Sequence, residues 1–185
     1  DGGEFGVLLD QGELYITGSQ FSNHHQGIST SGLSEIKSSE VIGSEFAAIQ
    51  LSESGDDDHR TSATLTSVVT DGGMHGVLMS DGRIKVEHSQ FSNHDQGLSL
   101  LNGLNSPEEP AVIRQCDFLD IGTFGILVRD SGDIEISDSD FIRANIPIEL
   151  ENESRASISQ VRIDSDDLAL PGVGIALRSG STAEI

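Results

Sequence analysis

Two stretches of this 185-residue chain are close copies of each other, 70 positions apart. Residues 1–29 (DGGEFGVLLDQGELYITGSQFSNHHQGIS) and 71–99 (DGGMHGVLMSDGRIKVEHSQFSNHDQGLS) share 16 identical positions, and a weaker copy runs from 120 to 141. Each copy contains a shorter unit that opens with a small residue and an apolar strand. These units begin at Gly6, Gly27, Ala48, Gly76, Gly97, Gly125, Pro147 and Gly174. Such a period is typical of a solenoid, in which each unit buries its apolar face against its neighbours.

A second strand follows in each unit, with apolar and polar residues in alternation. Leu14 and Ile16 flank Tyr15, and Ile84 and Val86 flank Lys85, which is the period of a half-buried strand. A column of small residues then follows: Ser19, Ser39, Ser67, Ser89, Cys116 and Ser139. A column of larger residues lies two positions further on: Phe21, Val41, Val69, Phe91, Phe118 and Phe141. Parallel stacking at ~4.8 Å predicts hydroxyls bonded to hydroxyls and phenyl rings in offset stacks.

Other repeat folds fit the pattern less well. The strict six-residue period of left-handed hexapeptide coils is absent, as is the Asn column of leucine-rich repeats. The unit G-[VI]-x-L … [IL]-x-[IV]-x-x-S-x-F resembles the repeat of the pectate-lyase-like β-helix superfamily, which includes cell-surface proteins and phage tailspikes. The resemblance covers nearly the whole chain. It implies an all-β, right-handed parallel β-helix of about eight coils, with residues 1–185 forming one domain and an excerpt of a longer β-helix.

The charge limits the partners that we expect. The chain has 31 acidic and 10 basic residues, for a formal charge of −21, so it lacks the clustered cations that nucleic acid binding requires. A heavily acidic surface with only Lys37 and Lys85 as lysines is typical of a protein from a halophile or its virus, because salt screens the self-repulsion. An ordinary acidic secreted protein is the alternative. We expect the chain to lie outside the cell, on a cell surface or on a virion.

Cys116 is the single cysteine, so the chain has no intrachain disulfide. No apolar run approaches the ~18 residues that a membrane span needs. Neither end carries a recognisable cap, and uncapped solenoids expose unpaired strand edges. We therefore expect the same chain to continue, or neighbouring subunits to cover both ends; a homotrimer, as in tailspikes, is one arrangement.

A catalytic site of the pectate-lyase type would lie on an outward strand face. The outward columns place Glu87 beside Arg114, with Lys85 alongside, which makes these three residues the candidate catalytic group. A solvated strand face would look the same. Neither outward column stacks two carboxylates on adjacent coils, which argues against a glycosidase-type acid and base pair. Tyr15 is the only outward aromatic residue predicted on these strands, which weakens the interpretation as a polysaccharide enzyme.

The duplicated turns SQFSNHHQG and SQFSNHDQG offer candidate ligand-binding residues. These are Asn23, His24 and Gln26 in the first copy and Asn93, His94 and Gln96 in the second. Three coils, about 14 Å, separate the copies, so they cannot share one metal ion. The alternative is a turn that duplication preserved because it fits the fold.

Acidic loops supply the metal candidates. Asp56, Asp57 and Asp58, and more weakly Asp164 with residues 166–167, could bind calcium through carboxylate oxygens. Solvated acidic loops are the alternative, and no cofactor other than calcium is predicted. Residues 152–154 form an Asn-Glu-Ser glycosylation sequon, which matters only in an exported protein.

These observations predict a non-catalytic structural or adhesion module of a cell surface or virion, with carbohydrate as the candidate partner. The alternative is a fragment of a polysaccharide lyase or glycoside hydrolase that acts on acidic glycans.

Overall fold

The computed structural model describes residues 3–52, 61–102, 110–130, 132–164 and 173–185. Within these ranges the chain forms strands and turns and no helix, so none of its described segments is a helix that could cross a membrane. The strands, in chain order, are β1 (Phe5–Leu9), β2 (Glu13–Thr17), β3 (Gln20–Ser22), β4 (Gln26–Ser31), β5 (Leu33–Lys37), β6 (Glu40–Ile42), β7 (Ala47–Ser52), β8 (Ser62–Thr66), β9 (Val69–Met79), β10 (Arg83–Glu87), β11 (Gln90–Leu100), β12 (Ala111–Arg114), β13 (Asp117–Leu119), β14 (Phe124–Val128), β15 (Asp133–Ser137), β16 (Asp140–Ile142), β17 (Ile146–Leu150), β18 (Arg155–Ser159), β19 (Arg162–Asp164), β20 (Ile175–Leu177) and β21 (Thr182–Glu184).

The alternating strands form one parallel sheet of eight, in the order β2-β5-β8-β10-β12-β15-β18-β21. We call one passage of the chain through both sheets a layer. In this sheet Lys85 lies between Thr64 and Val112, and Glu87 lies beside Arg114. The predicted outward columns are therefore confirmed in register. The apolar residues between them, such as Ile84 and Val86, are buried.

The second sheet has 13 strands and contains the strands that open each unit. Its apolar column joins equivalent residues of successive units: Val7, Ile28, Ile49, Val77, Leu98, Ile126, Ile148 and Ile175. The predicted starts of the units are thus confirmed. β9 and β11 each run for 11 residues through the corner at which other layers break into two strands.

A ladder of three phenyl rings fills the core of the later layers. Phe118 stacks between Phe91, at a centroid distance of 5.1 Å, and Phe141, at 4.6 Å, and all three rings are fully buried. Three of the glycines that open units, Gly76, Gly97 and Gly125, lie against this ladder. A Cβ atom at Gly97 would lie 2.8 Å from Cδ1 of Phe118, and one at Gly125 would lie 2.7 Å from Cδ1 of Phe141. The ring therefore explains why the unit begins with glycine.

The prediction that Ser67 and Val69 belong to the small and large columns is wrong. The register instead places Thr70 between Val41 and Phe91, and Val68 takes the place of the small residue. Ser67 has a φ of +55° and occupies the single-residue bend that precedes the small column, as Ser38 does in the layer below. Residues 67–70 (SVVT) contain a small residue followed two positions later by a larger one, which is the column pattern, but this pair lies one position before the true columns.

The expectation that hydroxyls bond to hydroxyls in the small column is also wrong. The Ser89 hydroxyl donates to the carbonyl of Glu87 and accepts from the backbone N–H of Val68 in the next layer. Ser39 and Ser139 make the same pair of contacts. Each hydroxyl thus satisfies backbone groups at a bend where the sheet ladder is interrupted.

Candidate functional site

The candidate catalytic residues lie together on the open face of the eight-stranded sheet. Lys85 Nζ lies 2.9 Å from Glu87 Oε2, and the Lys85 side chain is half exposed. Arg114 is adjacent in register but donates through Nε to the Ser137 hydroxyl at 3.3 Å. The lysine and the glutamate therefore pair with each other along one strand, and the arginine pairs with the strand on its other side.

The duplicated Asn-His-x-Gln turns do not bring their polar groups to one point. Asn23 and Asn93 occupy the left-handed region, with φ of +58° and +57°, and are exposed. Asparagine tolerates this conformation better than most residues. The Asn93 amide donates to Asp71 Oδ1 at 2.6 Å, whereas the His94 side chain points into the core. The asparagine and the histidine of this turn therefore face opposite ways.

His94 is buried, and its Nε2 lies 2.8 Å from the Thr70 hydroxyl. Burial lowers the pKa of His94 to about 4, an effect that hydrogen bonds to backbone groups and the Asp71 charge only partly oppose. In the first copy His24 is partly exposed, and its buried Nδ1 atom has no hydrogen-bond partner. Both histidines thus fill a corner of the core at the same point of the repeat.

The calcium candidates Asp56, Asp57 and Asp58 lie outside the described residues, as do residues 166–167. Asp164 accepts a hydrogen bond from Arg162 at 2.8 Å. Among the residues that the structure describes, no group of three or more histidine, cysteine, aspartate or glutamate side chains could hold a metal ion. Asn152 of the sequon is exposed and donates to Asp130 at 2.6 Å, whereas Ser154 is buried.

One pair of stacked carboxylates escaped the sequence analysis. Asp117 and Asp140 are direct neighbours on β13 and β16, with Arg162 next in the same column. Burial raises the pKa of Asp117, and the charge of Asp140 raises it further. The signal was present in the sequence, because each aspartate lies between the small and the large column, at a position that the two outward columns did not include.

The second feature that the sequence analysis missed is a row of three rings, which we call the ring strip and define as His25, Phe46 and His75; only 8% of His75 is exposed. The His25 and Phe46 rings stack at 5.9 Å, and Phe46 meets His75 edge to face at 5.4 Å. The three rings come from successive layers. Phe46 is partly exposed and His25 is exposed. Phe46 lies in the turn before β7, outside the strands for which Tyr15 was predicted as the only outward aromatic residue.

A chain of hydrogen bonds fixes the His75 ring. The Ser99 hydroxyl donates to Gln96 Oε1 at 2.6 Å and lies 3.0 Å from His75 Nδ1. Because the hydroxyl proton is directed to Gln96, the serine oxygen accepts a hydrogen bond from Nδ1–H, which leaves a lone pair on Nε2. Burial lowers the pKa of His75, and the charge of Asp95 partly opposes this shift. His75 is therefore a neutral imidazole at pH 7.

Acceptors and apolar groups surround the ring strip. Glu45 Oε2 lies 3.2 Å from His25 Nδ1, and 80% of the Glu45 side chain is exposed. Asp95 is exposed in the layer above His75, and Met74 next to His75 is 44% exposed. The site thus combines two carboxylates, an imidazole lone pair, a phenyl ring and a thioether.

No protein-family model, no curated protein and no solved structure matches this chain. The fold and the ring strip are therefore interpreted from their own geometry.

Proposed function

We propose that the chain is a right-handed parallel β-helix of about eight coils that serves as a non-catalytic structural or adhesion module on a cell surface or virion. The right-handed sense follows the general rule for crossovers between parallel strands of one sheet. The unit pattern of the sequence continues to support a likeness to the pectate-lyase-like β-helix superfamily.

The observation that carries this proposal is the continuity of the stack along its axis. Eight strands of one sheet pair in unbroken order, the phenyl ladder joins three layers, and serine hydroxyls bond the bends between them. Backbone bonds therefore join neighbouring strands along the whole sheet, and ring stacking or side-chain bonds add to them in some layers. Such a stack is stiff along its length, which suits a shaft or a display surface.

The surface charge supports a location in salty surroundings. At −21, charges on the surface repel one another over ~30 Å at 0.01 M salt but only over ~3 Å at 1 M. A halophile or its virus would provide the screening. Carbohydrate is the partner that we propose for the adhesion role, because the ring strip offers a ring edge beside hydrogen-bond acceptors.

The second candidate function is a glycoside hydrolase or polysaccharide lyase, and the stacked aspartates favour it. A carboxyl group with a raised pKa beside a second carboxylate is the arrangement of an acid and base pair. The Lys85, Glu87 and Arg114 group would be the alternative centre for a lyase.

The experiment that separates the two functions is a glycan-binding and turnover screen in molar salt, with and without calcium. Binding without turnover supports the adhesion module. Release of shortened or unsaturated sugars contradicts it, and Asp117→Asn, Asp140→Asn and the Lys85→Ala/Arg114→Ala double variant then locate the active centre. Silence in both assays leaves the structural shaft and removes the adhesion role.

A further inference from the structure

The outward groups of the ring strip share one chemical property. His75 Nε2 holds a lone pair because Nδ1 donates to Ser99. Nε2 has no hydrogen-bond partner among the described residues and is not one of the fully buried atoms, so it reaches solvent. Asp95 is exposed close enough for its charge to act on His75. Both groups accept hydrogen bonds and neither donates one. A ligand at this point must therefore supply the donors.

The apolar part of the site lies beside these acceptors. Phe46 contacts both histidine rings and is partly exposed. Met74 is 44% exposed and lies opposite Asp95 in the pairing of β9 with β11. A flexible, polarisable side chain of this kind adapts to the carbon face of a ligand. The ligand thus needs an apolar face within reach of its donors.

The charge of the molecule selects among ligands that have both features. A chain at −21 repels uronates and sulfated sugars unless salt or cations intervene. Glu45 and Asp95 add negative charge on both sides of the ring strip. A protonated amine satisfies the acceptors and benefits from the charge, and a cation near a phenyl ring gains a further attraction.

We propose that the ring strip, together with Met74 and Asp95, binds a sugar that carries a free, protonated amino group. The ammonium donates to the Asp95 carboxylate and to His75 Nε2. The carbon face of the sugar ring packs on Met74 and the edge of Phe46. This inference rests on the proposed adhesion function and names the class of glycan.

The test compares three oligosaccharides of equal length by calorimetry at pH 6 in 0.15 M salt: a glucosamine oligomer, its N-acetylated counterpart and a galacturonate oligomer. We expect the free amine to bind about tenfold or more tightly than the acetylated form, because acetylation removes the charged donor. Equal affinity for the first two sugars would overturn the proposal.

A matched pair of variants separates a site from general attraction to an acidic protein. Asp95→Asn and Asp138→Asn change the net charge equally, and both aspartates are exposed, but Asp138 lies at a bend on another part of the surface. We expect Asp95→Asn to weaken binding about tenfold and Asp138→Asn to leave it nearly unchanged. Equal losses would mean nonspecific attraction and refute the site.

The role of the imidazole has its own readout. In ¹⁵N NMR spectra at pH 7, His75 should show the tautomer that is protonated at Nδ1, and the Nε2 resonance should shift when the glucosamine oligomer is added. His75→Gln should weaken binding while the far-UV circular dichroism spectrum stays unchanged. A resonance that does not respond to the ligand contradicts the assigned contact.

The outcomes also distinguish this inference from the function on which it rests. If the glycan panel reveals a neutral or acidic ligand while the glucosamine oligomer does not bind, the adhesion role survives and the inference fails. If no glycan binds, the adhesion role fails together with the inference and only the structural role remains; if sugars are cleaved, the proposed non-catalytic function itself fails.

Discussion

Removing the central ring of the phenyl ladder tests the explanation for the glycine that opens each unit. Phe118 is fully buried, stacks on two other rings, and lies where a methyl group on Gly97 would be. Phe118→Ala should cost about 3–5 kcal/mol, the usual range for a phenylalanine removed from a core. Its two stacks make the upper half of that range the expected result, at ~0.5–1.5 kcal/mol each beyond burial.

Gly97→Ala should lower the free energy of unfolding only while the Phe118 ring is present. The added methyl would lie 2.8 Å from Phe118 Cδ1 and 2.5 Å from the carbonyl oxygen of Gly125. Overpacking of this kind costs about 1–3 kcal/mol. The same column holds Ala48 in the layer whose large-column residue is the smaller Thr70, so the backbone contact can be accommodated once no ring faces the methyl. Gly97→Ala should therefore cost little in the Phe118→Ala background.

The measurement is a double-mutant cycle from urea unfolding, followed by far-UV circular dichroism because the chain has no tryptophan. We expect the double variant to be more stable than the sum of the single changes by about 1–3 kcal/mol. Ile28→Val combined with Phe118→Ala is the control, since these residues lie in different layers and their effects should add. An additive cycle for Gly97 and Phe118 would show that the ring does not dictate the glycine.

Three further predictions concern titration, reactivity and salt. Burial lowers the pKa of His94 to about 4 in the folded chain, whereas the pKa in the unfolded chain is about 6.5. The unfolded chain therefore binds more protons between these two pH values. The free energy of unfolding should fall by about 3 kcal/mol in total as the pH drops through this window. His94→Gln should flatten the pH dependence of unfolding, while exposed His88→Asn should not; equal curves would refute this. Cys116 is fully buried with its pKa raised to about 12, so a thiol reagent at pH 8 should label it only after unfolding in urea, and rapid labelling of the native chain would contradict this. The melting temperature should rise between 0.01 and 1 M sodium chloride, because a charge of −21 is then screened within ~3 Å; no rise would argue against a halophilic origin.

The period-2 pattern was enough to predict the eight-stranded sheet residue by residue. Lys85, Val112 and Glu135 lie in one confirmed column because alternation along each strand leaves only one register that buries the apolar residues. The bends were harder to place. The residue with a left-handed backbone before the small column differs between layers: Ser38, Ser67, His88, Gln115 or Asp138. No residue type marks this bend in the sequence. The predicted columns were therefore one position out at Val68.

The ring strip could not be read from the repeat because its members are not equivalent within it. The turn that contains Glu45 and Phe46 is one residue longer than the corresponding turn at Asp95, so the two turns do not align in the repeat. His75 pairs in register with Ala47 and not with Phe46. Their contact depends on where three turns project their side chains. The Ser99 hydroxyl, which determines the free nitrogen of His75, likewise comes from a neighbouring layer.

The phenyl ladder and the ring strip lie in two different regions of the described part of the stack. The phenyl ladder runs through Phe91, Phe118 and Phe141 and gives its layers an apolar interior. In the earlier layers the column narrows to Val41 and Thr70, and polar His24 and Ser44 fill the corner, each with a buried atom that lacks a partner. Those are the layers that carry the ring strip on their outer surface. Buried polar groups without partners lower local stability, and binding surfaces are commonly drawn from the less stable parts of a fold. We therefore expect the layers that carry the ring strip to be less stable than the layers of the phenyl ladder, the first of which contributes Asp95 to the proposed binding site.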